Sequence, residues 1–261
     1  MSIEKLRIKN RKGQNIAVVV EEGKPNQDLV FVMHGLGGFK EQPHVQAFAD
    51  PFRERGFTVV TFDTTNTLGE SDGSYEDATT TNYYEDLEDV IQWAKQQSWF
   101  QSPFWLVGHS LGGICAALYV LKYPALVKAV APISTVVSGE LSFETYDKDE
   151  LNDWQRIGWQ IRPSNSKPGF VKKLKYSHME DRLKYDLLPE ADKLKLPVLL
   201  IVGEQDDSTP PAHQKMLYEK LNCDKELHVI AAGPHTFKNE THLNDIKRIF
   251  GGWIDKILAS K

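Results

Sequence analysis

Cysteine is scarce in this chain. Its two thiols, Cys115 and Cys223 in 261 residues, make no C-x-x-C spacing, and a disulfide framework at this size needs more of them. A cysteine-clustered metal site and a disulfide-stapled scaffold are therefore excluded, and a reducing cytoplasm is the expected location. Long apolar runs are missing too: the longest, such as residues 114–121 and 196–202, are under half of the roughly 18–20 residues that a membrane span requires. Residues 1–12 alternate charged and apolar side chains without the apolar stretch of a secretory signal, so none is expected there. Basic charge is not in excess. The 31 Lys and Arg face 36 Asp and Glu, a net charge of −5, which disfavours a nucleic-acid backbone or an anionic membrane surface as main partner. No repeats or low-complexity tracts stand out. What is present is an ordinary globular composition, 41% hydrophobic and 26% charged. A chain of this length buries roughly 70–75% of its unfolded surface, enough for one large domain with an inserted lobe.

Short apolar runs bounded by Gly, Asp or Ser recur at 29–33, 57–62, 104–107, 127–133, 197–202 and 226–230. Continuous runs rich in β-branched residues suit strands buried on both faces. Two alternating segments, 5–9 and 15–21, flank Asn10-Arg11-Lys12-Gly13 and read as an antiparallel hairpin. Helical spacing marks 45–55, 83–95, 114–121, 212–221 and 241–258. Strand and helix alternate, so an α/β fold with a mostly parallel sheet is predicted. One stretch breaks the rhythm. Residues 137–192 show no buried strand and carry Phe143, Tyr146, Trp154, Trp159, Phe170 and Tyr176 among many charges. They read as a mostly helical insertion that divides the core into 1–136 and 193–261. Its acidic first part (Glu140, Glu144, Asp147, Asp149, Glu150, Asp153) and basic later part (Lys167, Lys172, Lys173, Lys175) read as solvated helix faces before they read as a docking site. Its aromatics fit an apolar acyl or phenolic pocket and the insertion's own core equally well.

The chemistry begins at Gly108-His109-Ser110-Leu111-Gly112. A G-x-S-x-G would arise by chance about 0.07 times in a chain of this composition, so the motif alone is only suggestive. Its setting adds weight, because a predicted strand precedes it and a predicted helix follows, the context of a nucleophile elbow. Small residues are needed around a serine on such a sharp turn, since the backbone is strained and its neighbours pass close beneath. A serine hydroxyl needs a base to take its proton and a third group to orient that base. The strand at 197–202 runs into Gly203-Glu204-Gln205-Asp206-Asp207, and the strand at 226–230 ends in Ala231-Ala232-Gly233-Pro234-His235. Both endings lie at the carboxyl edge of the sheet, where α/β folds build sites. Asp206 is preferred over its neighbour Asp207 from its place in the motif, and the order Ser110, Asp206, His235 matches the order expected for this elbow. His228 falls in a strand and His242 in the last helix. The spacing of 228, 235 and 242 is no recognised metal pattern. His44, His178 and His213 read as surface or packing residues. Two backbone N–H donors for an alkoxide are expected from Leu111 and from the loop His34-Gly35-Leu36-Gly37-Gly38, where Leu36 is the choice. That loop carries neither G-x-G-x-x-G nor G-x-x-x-x-G-K-[ST], which argues against phosphate binding. His34 reads as a buried residue shaping the loop.

Taken together, His34-Gly35-Leu36-Gly37-Gly38, Gly108-His109-Ser110-Leu111-Gly112-Gly113, Gly203-Glu204-Gln205-Asp206 with Pro210, and His235 resemble the α/β-hydrolase superfamily over nearly the whole chain. Within it the chain is similar to small serine esterases with a lid after the sixth strand, in particular the bacterial cinnamoyl and feruloyl esterases and the monoacylglycerol lipases. The resemblance implies an eight-stranded sheet, hydrolysis of carboxylic esters without a cofactor, Ser110, Asp206 and His235 as a triad, and Leu36 and Leu111 as the oxyanion-hole positions. There is one departure. Relatives usually show D-x-x-G-x-G-x-S after the fourth strand, whereas the segment from Asp63 to Gly73 lacks the first glycine and is one residue longer.

The expected activity is cleavage of a small-molecule carboxylic ester through an acyl-enzyme. A thioesterase, a perhydrolase or a serine peptidase on the same triad is the alternative, with no propeller-length extension to favour a prolyl-oligopeptidase type. A non-catalytic binding module of this fold is disfavoured by the intact Ser110, Asp206 and His235.

Overall fold

The structure, a computed structural model, describes every residue except Met1, Asn26, Asn165, Ser166, Pro168 and Lys261. Its first half runs β1 (Ile3–Lys9), β2 (Asn15–Glu21), β3 (Leu29–Met33), α1 (Pro43–Glu54), β4 (Thr58–Phe62), α2 (Thr80–Ala94), β5 (Phe104–His109), α3 (Leu111–Lys122) and β6 (Val127–Ile133). Then come α4 (Gly139–Glu144), α5 (Lys148–Ile157), β7 (Trp159–Pro163), β8 (Val171–Lys175) and α6 (Ser177–Arg182). The chain closes with β9 (Val198–Gly203), α7 (Pro211–Lys220), β10 (Lys225–Ile230) and α8 (Glu240–Ala259).

Eight strands form one sheet in the order β1-β2-β4-β3-β5-β6-β9-β10. β2 is antiparallel to both of its neighbours and all later pairs are parallel. All eight predicted strands are in it. The reason the central ones read as continuous apolar runs is that helices cover both faces, so alternation separates two cores rather than core from solvent. Leu29, Phe31 and Met33 of β3 face a core built with α2, α3 and α7, while Val30 and Val32 face one built with α1 and α8. The same division runs through β5, with Phe104 and Leu106 on one side and Trp105 and Val107 on the other. α8 presents Ile246, Ile249, Phe250, Trp253, Ile254 and Ile257 as a buried stripe, each contributing about 1.5–3 kcal/mol through apolar burial. Its start is fixed by Asn239, whose side chain accepts the Thr241 N–H at 2.8 Å. Among the described residues no helix is long and apolar enough to cross a membrane.

The segment between β6 and β9 corrects one expectation. It is not mostly helical: β7 and β8 pair only with each other as an antiparallel hairpin. Trp-Gln-Ile-Arg-Pro alternates apolar and polar residues and Val-Lys-Lys-Leu-Lys is mostly lysine, and a search for continuous buried runs passes over both. Lys172, Lys173 and Lys175 therefore lie on a strand, not a helix face. The insertion is pinched at its base, where Leu187 N–H donates to Val137 O and Gly139 N–H donates to Tyr185 O. Its aromatics divide between the two expected uses. Trp154 is buried against Tyr146 and Tyr176 and donates its indole N–H to Leu174 O at 3.1 Å, whereas Tyr146 also lines a cavity described below.

Candidate active site

Ser110 joins β5 to α3 at φ 54° and ψ −114°, a left-handed backbone that costs a non-glycine residue on the order of 1–3 kcal/mol. Two close approaches explain the glycines around it. A Cβ added at Gly108 would meet Gly112 O at 2.1 Å, and one at Gly112 would meet His34 O at 2.4 Å. The bend is tied down by Ser110 N–H donating to Ile133 O at 2.9 Å and by Val136 N–H donating to Ser110 O at 3.2 Å. A serine at a helix N-cap ordinarily caps its own helix through its side chain. Here the hydroxyl makes no such bond and lies 3.0 Å from His235 Nε2.

His235 and Asp206 come together because the loops after β9 and β10 pack backbone on backbone. Gln205 N–H donates to Gly233 O at 2.8 Å and Glu204 N–H to Ile230 O at 2.9 Å, and a Cβ on Gly203 would lie 2.1 Å from Gly233 O. His235 Nδ1 then stands 2.9 Å from Asp206 Oδ2 and 3.0 Å from Oδ1. With the carboxylate as acceptor, Nδ1 carries the proton and Nε2 is free to accept from Ser110. The Asp206 carboxylate has no solvent exposure and also accepts the N–H groups of Ser208 and Thr209. Burial pushes its carboxyl pKa up, but the bond and charge of His235 and the Thr209 donors outweigh it and hold the group below its ordinary value. Asp207 stays exposed on the cavity rim, where it accepts from the Ser208 hydroxyl.

The loop 34–38 passes close to Ser110: a Cβ on Gly35 would lie 2.9 Å from Ser110 Cβ. Leu36 lines the cavity beside it, and Leu111 is the first, fully buried residue of α3. His34 is buried and shapes the loop. Its Nδ1–H donates to Gly35 O at 2.7 Å while Nε2 accepts from Thr64 N–H at 3.1 Å, and burial lowers its pKa. The departing segment 63–73 supports the same loop, since Thr67 donates to Gly38 O. Its first residue, Asp63, is buried in a salt bridge with Lys40.

One histidine, His109, escaped sequence reasoning, while His44 packs as expected. His109 donates Nε2–H to His235 O at 2.9 Å, tying the motif to the loop after β10 across 126 residues. Burial and the neighbouring rings of His44 and His235 keep it neutral. His44 packs edge-on against it, and burial pushes its pKa down to about 3. The one available signal was that the residue before Ser110 is itself a histidine.

Above Ser110 and His235 opens a cavity of about 580 Å³. Its far wall comes from the insertion, with Tyr146, Gln160, Arg162, Lys172, Leu174 and Arg182. Among the described residues no three His, Cys, Asp or Glu side chains gather as a metal-binding set.

A family model described as alpha/beta hydrolase fold matches residues 28–165, more than half of the chain. The chain belongs to the α/β-hydrolase family. A second model, Serine aminopeptidase, S33, matches residues 181–242 of this α/β hydrolase. An uncharacterized 31.7 kDa protein in the traX-finO intergenic region of Escherichia coli is 28% identical, over 83% of this chain and 86% of its own. Palmitoyl-protein thioesterase ABHD10, mitochondrial, of Bos taurus is also 28% identical, over 77% of this chain and 65% of its own. Among solved structures, ferulic-acid-bound Est1E from Butyrivibrio proteoclasticus superposes with a TM-score of 0.79 at 22% identity, over 97% of this chain and 99% of that one. Alpha/beta hydrolase domain-containing protein 10 from mouse does so at 0.78 and 21%, over 98% and 100%. The structural likenesses show the fold, the family model gives the hydrolase family, and a thioesterase stands among the sequence relatives.

Proposed function

We propose that this α/β hydrolase cleaves carboxylic esters through an acyl-enzyme formed on Ser110. Ser110 Oγ attacks the ester carbonyl as its proton passes to His235 Nε2. Asp206 holds the imidazole in the tautomer that accepts it and stabilises the imidazolium that results. The alkoxide of the tetrahedral intermediate is held by the N–H groups of Leu111 and Leu36, each such donor contributing a factor of about 10²–10³. Collapse expels the alcohol, which takes the proton from His235. Water then repeats the sequence on the acyl-serine and releases the acid. Residues 137–192 serve as the cover of the site.

The observation that carries this reading is the unbroken relay from Asp206 Oδ2 to His235 Nδ1 at 2.9 Å and from Nε2 to Ser110 Oγ at 3.0 Å, opening into a cavity large enough for an ester. The experiment is a panel of short and long acyl esters, hydroxycinnamate esters, monoacylglycerols, acyl-CoA thioesters and aminoacyl amides, each given to the native protein and to Ser110→Ala. Ester hydrolysis that disappears in a folded Ser110→Ala protein is expected; activity retained in that variant removes the assignment. The name of the ABHD10 relative favours a second reading, thioester cleavage by the same three residues, and the acyl-CoA members of the panel separate the two.

A further inference from the structure

The cavity wall opposite Ser110 holds two cations without a counter-ion. Arg182, at the end of α6, is only 7% exposed. Its Nη2 donates to His178 Nε2 at 2.7 Å, while its Nε is buried without a hydrogen-bond partner. His178 is neutral, because its Nδ1–H is committed to Ala78 O and burial with the adjacent guanidinium pushes its pKa down to about 3. The neighbouring carboxylate, Asp181, is already taken by the N–H and hydroxyl of Thr81 and by Lys184. Lys172 reaches into the cavity from β8, half-buried, with Nζ 5.3 Å above the ring of Tyr75. It also touches the loop that carries Leu36, since a Cβ on Gly37 would lie 2.9 Å from Nζ. Among the described residues no carboxylate pairs with either cation. The third cation of the wall, Arg162, differs, being bound to Glu150.

A buried guanidinium on a cavity wall without a carboxylate partner is costly for a fold to keep unless something supplies the missing counter-charge. A ligand anion supplies it well, because a charge-assisted bond in a desolvated pocket is strong and directional. We infer that the substrate carries a carboxylate, seated between Arg182 and Lys172, at a distance from the ester bond cut at Ser110. A single negative charge suits these walls, since Asp207 lines the same cavity and would oppose a more highly charged group. This inference deepens the ester-hydrolase reading and rests on it.

The test compares acid with amide in matched pairs. One pair places the charge in the acyl half: the mono-4-nitrophenyl ester of adipic acid against its primary amide. The other places it in the alcohol half: 4-butyryloxybenzoate against 4-butyryloxybenzamide. In at least one pair kcat/KM should favour the acid by tenfold or more, mainly through KM, and Lys172→Met and Arg182→Gln should each cut that preference at least tenfold. Arg182→Gln alters a buried residue, so its fold is checked by circular dichroism; Lys172→Met, on the hairpin, carries the test if it fails. Calorimetric binding of the same compounds to Ser110→Ala reads the preference without turnover, with at least tenfold tighter binding of the favoured acid expected. Ratios within twofold of one in both pairs, in turnover and binding alike, overturn the inference, as does a preference that Lys172→Met leaves intact. Cleavage of acid and amide at equal rates overturns only the carboxylate site. Absence of cleavage overturns the hydrolase reading, and the binding comparison still decides this one.

Discussion

Ser110 and Arg182 border one cavity from regions of opposite construction. Ser110 stands on a sheet whose central strands β3, β5 and β9 are buried along their whole length, and its loops pack backbone against backbone. Arg182 belongs to an insertion whose two strands pair only with each other, with Ile161 63% and Val171 58% exposed, around a small core centred on Trp154. The first region holds Ser110, His235 and Asp206 in one hydrogen-bonded chain. The exposed positions of the second tolerate change more readily than a sheet buried on both faces.

The comparison makes graded predictions. The largest effect should come from the proposed relay. Asp206→Asn keeps the shape of the site but favours the wrong imidazole tautomer, and kcat on the best ester of the panel should fall by about 10³–10⁴-fold. A loss below tenfold breaks the claim that this carboxylate orients His235. Next comes the elbow: Gly108→Ala drives a methyl group into Gly112 O, contact that backbone cannot yield without shifting. It should cost about 2–3 kcal/mol in urea unfolding.

A third prediction concerns pH. His44 has a folded pKa of about 3 against about 6.5 unfolded, so the unfolded chain binds a proton first and stability drains away as pH falls from about 6.5 toward 3. His44→Phe keeps the ring packed near Phe48 and removes that uptake. The loss of stability between pH 6 and 4 should shrink by about 1.4 kcal/mol per pH unit, and an unchanged slope contradicts it. The smallest effect belongs to the insertion. Gly158 ends α5 at φ 81° but faces open space, so Gly158→Ala should cost only about 1 kcal/mol. If it proves as damaging as Gly108→Ala, the contrast between the two regions fails.

The same contrast explains what the sequence made legible. Buried strands announce themselves as runs such as Leu-Val-Phe-Val-Met, and the grouping of Ser110, Asp206 and His235 was readable because each follows such a run at the sheet's carboxyl edge. Of the two adjacent carboxylates, the preferred Asp206 is the one that meets His235. The hairpin of β7 and β8 was not, because an exposed pair of strands carries no buried run and Lys172, Lys173 and Lys175 look like any solvated charges. Arg182 is the sharper case. On paper it is one more arginine, and only the packing of α6 against α2 makes it a buried cation. The role of His109 was hidden for a related reason: its partner is a backbone carbonyl far along the chain, and backbone partners leave no mark on composition.

Peptide mapping after treatment with a fluorophosphonate probe tests the central claim most directly, because phosphonylation requires a serine made nucleophilic by its neighbours. A single adduct on Ser110, abolished by His235→Ala in a protein that remains folded, is the expected result. No adduct, or an adduct on another residue, contradicts the account.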